Sequence, residues 1–272
     1  MDNLPVRSAF KALATAVVPR AVLEPVLKRR FFATRSWANR HWGVFESFEA
    51  AREFAAQRGK KTSFSLDHRK WLEEHLALMP HDYPMLYWLT RILDGQPMRI
   101  VDVGGSVGVS YLAFERVMTF PQGLRWEVCE LPEVVELGRQ IAQERGAEQL
   151  SFASDLKTLD GADILFAAGA LQYIETPLHE ILGGLHNPPR HVLINRLPLT
   201  GRRSTFVTLQ HGGITIQAYR IANHHGFVKA MQDTGYHLRD HWKCLENQTC
   251  IPLHPELTLE HFHGFYFDRD RA

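Results

Sequence analysis

The chain has 272 residues, 45% of them hydrophobic, which suffices for a sizeable core in one large domain or one domain with an added lobe. Lys and Arg total 31 against 30 Asp and Glu, so a formal net charge of +1 supplies no global attraction to nucleic acid or anionic lipid. Three cysteines, Cys129, Cys244 and Cys250, make neither a secreted disulfide framework nor a close metal-type pair, which points to a reducing, cytoplasmic setting.

Charge is uneven at the start of the chain. From Met1 to Arg40 the basic side chains Arg7, Lys11, Arg20, Lys28, Arg29, Arg30, Arg35 and Arg40 face only Asp2 and Glu24, giving a basic N-terminal face. No apolar run reaches the roughly 18 residues of a membrane span, and no signal-peptide core is bounded there. "FKALATAVVPRAVLEPVLKRRFF" reads as helices packed on the domain; its apolar spacing with flanking cations is also that of an interfacial helix, so peripheral membrane contact is the alternative.

Helical spacing of apolar residues predicts helices from Val6 to Val18, Ala21 to Phe32, Phe45 to Arg58, Leu66 to Leu78 and Pro84 to Leu93. Pro19 separates the first two, and "DGQP" at Asp94 to Pro97 stops the last. The texture then changes to short apolar runs separated by helix-length segments. Strands are expected from Arg99 to Val103, Arg125 to Cys129, Leu150 to Ala153, Ile164 to Ala167 and His191 to Asn195. Helices are expected from Tyr111 to Val117, Glu133 to Arg145 and Pro177 to Leu185. Such alternation predicts an α/β fold, a mainly parallel Rossmann-like sheet with helices on both faces. Further on, Thr205 to Gln210 and Thr215 to Ala218 flank "HGG" as a hairpin, Asn223 to Thr234 reads as a helix, and Leu238 to Cys244 and His261 to Phe267 read as strands. The organisation expected is a helical N-terminal lobe, residues 1–94, and an α/β domain, residues 95–272. The lobe is a candidate lid, substrate-recognition surface or homodimer contact.

Ligands of an open parallel sheet sit beyond the carboxyl ends of its strands. "VDVGGSVG" occupies such a place: Asp102 lies near the strand end, Gly104 and Gly105 let the backbone turn close to a ligand, and Gly108 lets the next helix pack tightly. No Lys follows the glycines, so this is not a phosphate loop, and it lacks the full GxGxxG dinucleotide pattern. The next strand ends in Glu130, a carboxylate suited to the two hydroxyls of a ribose, with Leu131 as an apolar edge for a base. Asp155, after the third strand, is placed to accept from an exocyclic adenine amine beside Leu156, or else to cap the following turn.

These regions together resemble the class I S-adenosylmethionine-dependent methyltransferases over roughly Met98 to Trp242. The resemblance implies that Asp102, Gly104, Gly105, Ser106 and Gly108 approach the methionine and ribose parts of S-adenosylmethionine, that Glu130 holds the ribose, and that Asp155 lies near adenine. "VDVGGSVG" with "CELPEVV" resembles the small-molecule O-methyltransferase branch, and also a bacterial methyltransferase group with a helical N-terminal lobe that is associated with surface-polysaccharide genes. "ADILFAAGALQYIETPLHEIL" resembles the fourth strand and turn of these enzymes, which implies that Ala168 and Gly169 pass close to the cofactor. The product would be S-adenosylhomocysteine.

Methyl transfer is a direct displacement in which orientation and desolvation supply much of the acceleration, with a base needed only to take an acceptor proton. Gln172 stands just after the fourth strand, where a glutamine is no base. His224 and His211 are the candidate bases, each of them otherwise a capping or surface residue. Gln172, Tyr173, Asn195, Arg196 and Tyr219 are candidate substrate contacts, Arg196 for an acidic acceptor and Asn195 and Gln172 for sugar hydroxyls. "HFHGF" puts His261 and His263 on one face of a strand, yet no HExxH, cysteine pair or carboxylate set accompanies them, so a polar strand face and no metal are expected. The reading is methyl transfer to a small molecule or glycan precursor, with a non-catalytic cofactor-binding or scaffold protein as the alternative. A nucleotide-dependent redox enzyme fits less well, and nothing resembles the catalytic box of nucleic-acid amino-methylation, since "NPPR" at Asn187 to Arg190 ends in arginine.

Overall fold

The computed structural model describes residues 19–33, 37–60, 62, 66–93, 95–212 and 215–270. The helix expected from Val6 to Val18 and part of the "HGG" turn lie outside them. Two compact units emerge: a smaller one of residues 1–65, 206–220 and 249–259, and a larger one of residues 66–205, 221–248 and 260–272. The chain thus leaves the larger unit twice and returns, whereas the sequence suggested one boundary near residue 94.

The larger unit contains a seven-stranded sheet. Its strands are β2 (Arg99–Val103), β3 (Arg125–Cys129), β4 (Leu150–Ala153), β5 (Ile164–Ala168), β6 (His191–Leu197), β10 (His237–Cys244) and β11 (Phe262–Asp268). Their order is β10-β11-β6-β5-β2-β3-β4. The five strands from β4 to β6 are parallel, and β11 and β10 extend the sheet antiparallel beyond β6. The chain runs outward from β2 through β3 to β4, then resumes on the other side of β2 with β5. The reversal opens a crevice at the carboxyl ends of β2 and β5, the place where such sheets bind ligands.

Both faces of this sheet are covered, which is why its strands read as almost unbroken apolar runs. One face packs Ile100, Trp126, Val128, Phe166 and Leu193 against α3 (His68–His75), α4 (Tyr83–Ile92), α5 (Val109–Phe114) and α6 (Pro132–Arg145). The other packs Val101, Val103, Leu165, Val192, Ile194, Phe265 and Phe267 against α7 (Leu178–Gly183) and α8 (His224–Asp233). Local chemistry sets the helix ends: the Asp67 carboxylate accepts from the Lys70 amide at the start of α3, and Gly146, in the left-handed region, closes α6. The Rossmann-like α/β architecture expected of the sequence is therefore present.

The smaller unit holds α1 (Arg20–Ala33), β1 (Trp37–Phe45), α2 (Phe48–Ala56), β8 (Phe206–Gly212) and the first half of β9 (Ile216–Asn223). β1 pairs antiparallel with β8, and β8 neighbours β9, the expected hairpin. Phe31, Trp42, Phe48, Ala51, Val207, Leu209 and Ile216 form its own core. β9 continues into the larger unit, where its end pairs with the short β7 (Leu199–Thr200). The region expected to be a helical lobe is thus mixed: β1 lies between its helices, and α3 and α4 belong to the larger unit. Among the described residues no helix is long and apolar enough to cross a membrane.

Candidate functional site

The loop from Gly104 to Gly108 follows β2 and is shaped by contacts that exclude side chains. A Cβ on Gly105 would stand 2.4 Å from Asp102 Oδ2, and one on Gly104 (φ +69°) would stand 2.3 Å from the Cβ of Ala170. Gly108 (φ +88°) starts α5 with no room for a Cβ beside Leu150. Ser106 takes a left-handed φ of 56° without being glycine, a backbone cost that is retained where the surroundings fix it. What fixes it is a pair of bonds: its amide donates to Glu130 Oε1 at 3.2 Å, and its hydroxyl meets His68 Nδ1 at 2.7 Å.

Glu130 follows the last residue of β3 and is held at both oxygens, Oε2 accepting from the Leu131 amide at 2.8 Å. Burial raises its pKa, and the two amides oppose that rise. A carboxylate oxygen accepts more than one hydrogen bond, so both retain capacity for a diol. Asp102 is fully buried; Oδ2 accepts from the Trp126 indole at 3.3 Å, while Oδ1 has no partner. Burial pushes its carboxyl up to about 7. An unpartnered buried carboxylate oxygen costs free energy unless a cation or donor completes it. Leu131 stands 43% exposed, an apolar side chain left to solvent beside Glu130. Asp155 is exposed and caps the turn Leu156–Leu159 by accepting from the Lys157 amide at 2.9 Å, which leaves its second oxygen available. Leu156 is half-buried.

Across the crevice, the end of β5 meets the end of β6. Arg196 (φ 56°) donates from Nη2 to the Ala168 carbonyl at 2.7 Å and lies against Gly169 (φ +79°), while its Nε is buried without a partner. Gln172 donates from Nε2 to the Gly169 carbonyl at 2.7 Å, which orients the amide, since a carbonyl demands a donor. Its Oε1 is then left buried and unpartnered. Tyr173 follows in the same turn, half-buried.

The remaining candidates are engaged by other partners. Asn195 is almost fully buried and consumed by the protein: Nδ2 donates to the His81 carbonyl at 2.9 Å, and Oδ1 accepts from the Trp242 indole at 3.1 Å. It fastens β6 to the turn before α4 rather than presenting an amide to a substrate. His211 and Tyr219 belong to the smaller unit, where the first is edge-on to Phe31 and the second to His41, both buried. His224 begins α8 and groups with His241 and His263 on β10 and β11. β11 is three strand spacings from β2, a lateral separation of about 14 Å from the strand carrying the glycine loop. Sequence reasoning missed His68 and Ala170, which shape the loop from α3 and from the turn after β5; no local pattern marks either.

No protein-family model matches the chain, and no curated protein matches it. Solved structures similar to it include the Burkholderia thailandensis 1,6-didemethyltoxoflavin-N1-methyltransferase with 1,6-didemethyltoxoflavin and S-adenosylhomocysteine bound, at 17% identity and a TM-score of 0.45, over 82% of this chain and 91% of that one. The CcbJ methyltransferase from Streptomyces caelestis is 14% identical with a TM-score of 0.47, over 71% of this chain and 91% of that one. The N-terminal domain of EvdMO1, solved with S-adenosylhomocysteine and D-fucose, is 14% identical with a TM-score of 0.48, over 78% of this chain and all of the other. The fold assignment stands on the strand order and its reversal at β2.

Proposed function

We propose that the larger unit binds S-adenosylmethionine and transfers its methyl group to a hydroxyl of a small molecule. The observation that carries this reading is Glu130, clamped between the amides of Ser106 and Leu131 beside the half-partnered, buried Asp102, at the carboxyl ends of two adjacent parallel strands. The residues fit the donor's parts: remaining lone pairs of Glu130 for the ribose diol, Asp102 Oδ1 for cationic charge, Leu131 and Leu156 for the faces of a base, and the free oxygen of Asp155 for an exocyclic amine. The glycines give the loop beside them a course that a Cβ would block against Ala170, Asp102 and Leu150.

Bound there, S-adenosylmethionine supplies an electrophilic methyl group on a sulfonium. The chain's own contribution is to orient the acceptor; as its oxygen takes the methyl group and the S–C bond breaks to leave S-adenosylhomocysteine, the hydroxyl proton would pass to solvent. Gln172 Oε1 offers an unpartnered acceptor and Arg196 Nε an unpartnered donor, both against Ala168 and Gly169. A hydroxyl that donates to the first and accepts from the second keeps a lone pair for attack, whereas a neutral amine has one lone pair and cannot both accept and attack. That match supports oxygen as the nucleophile, and a polyhydroxylated acceptor such as a sugar or polysaccharide precursor extends it, with Tyr173 in the adjoining turn. The reading uses neither His224, whose ring nitrogens join a cluster of imidazoles, nor His211, which is buried in the smaller unit.

Transfer of a labelled methyl group from S-adenosylmethionine to a panel of free sugars, nucleotide sugars, lipid-linked glycans, phenols and amines tests the reading. Hydroxyl acceptors alone becoming labelled supports it. Labelling of amines alone overturns the oxygen assignment. Binding of the cofactor with no transfer to any member favours the scaffold alternative.

A further inference from the structure

We infer that His224, His241 and His263 form a site for one divalent transition-metal ion of the zinc class, held by three imidazoles with a fourth coordination position open. The three residues come from separate elements, the first turn of α8, β10 and β11, yet one ring nitrogen from each lies within 4.8 Å of the others. His241 Nε2 and His263 Nδ1 are 2.8 Å apart in rings tilted by only 14°. The His224 ring centroid stands 5.3 Å from that of His241 and 5.0 Å from that of His263. Two nitrogens bonded to one tetrahedral zinc are about 3.4 Å apart, given bonds near 2.0–2.1 Å. Small side-chain rotations of these partly exposed rings therefore bring all three to one ion.

The backbone fixes this convergence. His241 pairs with Phe265 and Lys243 with His263, so His241 and His263 are diagonal neighbours on the same face of the antiparallel pair. His224 is placed by its predecessor: Asn223 Oδ1 accepts from the Gly226 amide at 2.8 Å, Asn223 Nδ2 donates to the Arg203 carbonyl at 2.8 Å, and the Asn223 amide donates to Thr205 Oγ1 at 3.0 Å. Below the cluster the buried Phe265 stacks on His241 at 4.7 Å and meets His224 at 5.9 Å, an apolar floor that leaves the exposed side at His241 as the way in.

The donor set selects the ion. Three nitrogens with no carboxylate among them suit Zn²⁺, Co²⁺, Ni²⁺ or Cu²⁺ and not Mg²⁺ or Ca²⁺, which require oxygen ligands. A hydrogen bond between His241 and His263 uses one N–H and one lone pair, and does not account for a third imidazole aimed at the same point. An ion accepts a lone pair from each ring. His261, whose ring lies 4.9 Å from that of His263, is not one of the three. The site sits on the strand pair that extends the sheet beyond β6, so ion binding is measured without reference to methyl transfer.

The experiment uses the full chain without a histidine tag, stripped with chelator. Zn²⁺ is titrated by calorimetry, and Co²⁺ by its visible ligand-field absorption. One equivalent bound, with the Co²⁺ spectrum of a four-coordinate site and no heat from Mg²⁺, is expected. His224→Gln, His241→Gln and His263→Gln should each weaken Zn²⁺ by more than about 10-fold, since loss even of a group that supports a ligand costs that much, while His261→Gln leaves it unchanged. Circular dichroism confirms the fold of each variant, and His241, the exposed ligand, is the substitution least able to disturb it. Absence of stoichiometric Zn²⁺ binding, or binding that survives His224→Gln and His241→Gln, overturns the site.

Discussion

The amide of Ser106 donates to Glu130 Oε1 across 3.2 Å, joining the loop after β2 to the end of β3. This bond makes the loop conformation and the acidic side chain one structure: Ser106 holds a left-handed φ of 56° that Glu130 and His68 stabilise, and Glu130 is thereby aimed before any ligand arrives. Preorganisation of this kind lowers the ordering cost of binding.

The backbone of Ser106 can be tested apart from its side chain. Both Ser106→Ala and Ser106→Gly lose the hydroxyl contact to His68, but only glycine adopts positive φ without strain. Ser106→Ala is expected to destabilise the chain by about 1–2 kcal/mol in urea unfolding, with Ser106→Gly less destabilised. Equal midpoints for the two would contradict the account of the loop.

Gly105→Ala places a methyl group 2.4 Å from Asp102 Oδ2, closer than any real contact, so the loop or the aspartate must move. The expected cost is about 1–3 kcal/mol of stability. S-adenosylhomocysteine affinity should fall at least tenfold by calorimetry. Retained affinity would mean that the ligand does not pass this loop.

Asp102 gives a pH signature. Its carboxyl titrates near 7 in the folded protein, with burial as the main cause, against about 3.9 in the unfolded chain. Between those values the native state holds the proton more tightly than the unfolded one, so stability falls as pH rises through this window. The penalty is absent below about pH 4 and complete above about pH 7, on the order of 2–4 kcal/mol. Asp102→Asn removes it. Urea unfolding at pH 4.5 and pH 8 should therefore show the variant gaining on the wild type as pH rises, and a constant difference would contradict the assignment.

Gln172 separates acceptor binding from cofactor binding. Gln172→Leu removes the unpartnered Oε1 together with the bond to the Gly169 carbonyl. S-adenosylhomocysteine affinity is expected to stay within about threefold of wild type, while KM for the acceptor rises roughly tenfold, the value of one hydrogen bond to a neutral group. Loss of cofactor affinity with unchanged KM would move Gln172 out of the acceptor site.

Much of the larger unit is legible in the sequence because its strands are buried on both faces and punctuated by glycine and proline. β2, β3 and β4 fall on the residues their apolar runs mark, and β5 and β6 run only one and two residues further. The loop and Glu130 are legible for the same reason, being strand-end positions. The smaller unit is not, since β1 lies between helices and finds its partner β8 more than 160 residues later, a pairing no local pattern announces. His211 looks like a site residue in sequence because it stands beside a glycine turn, and Tyr219 because it lies at an expected strand end; in the structure both are buried in the smaller unit's own packing. Asn195 looks free at a strand end, yet Trp242 and the His81 carbonyl use it. The histidine cluster is hidden because its members are 17 and 22 residues apart, and antiparallel register alone brings His241 to His263.

The central claim is that Glu130, just past the carboxyl end of β3, holds a ribose beside the crevice of β2 and β5. Calorimetric titration of S-adenosylhomocysteine into the wild type and Glu130→Ala, with NAD as control, tests it most directly. The wild type is expected to bind one equivalent and to ignore NAD. The variant should lose about 1.5–3 kcal/mol, the worth of hydrogen bonds to a charged group. Equal affinity of the two proteins for S-adenosylhomocysteine, or preference of the wild type for NAD, would contradict the account.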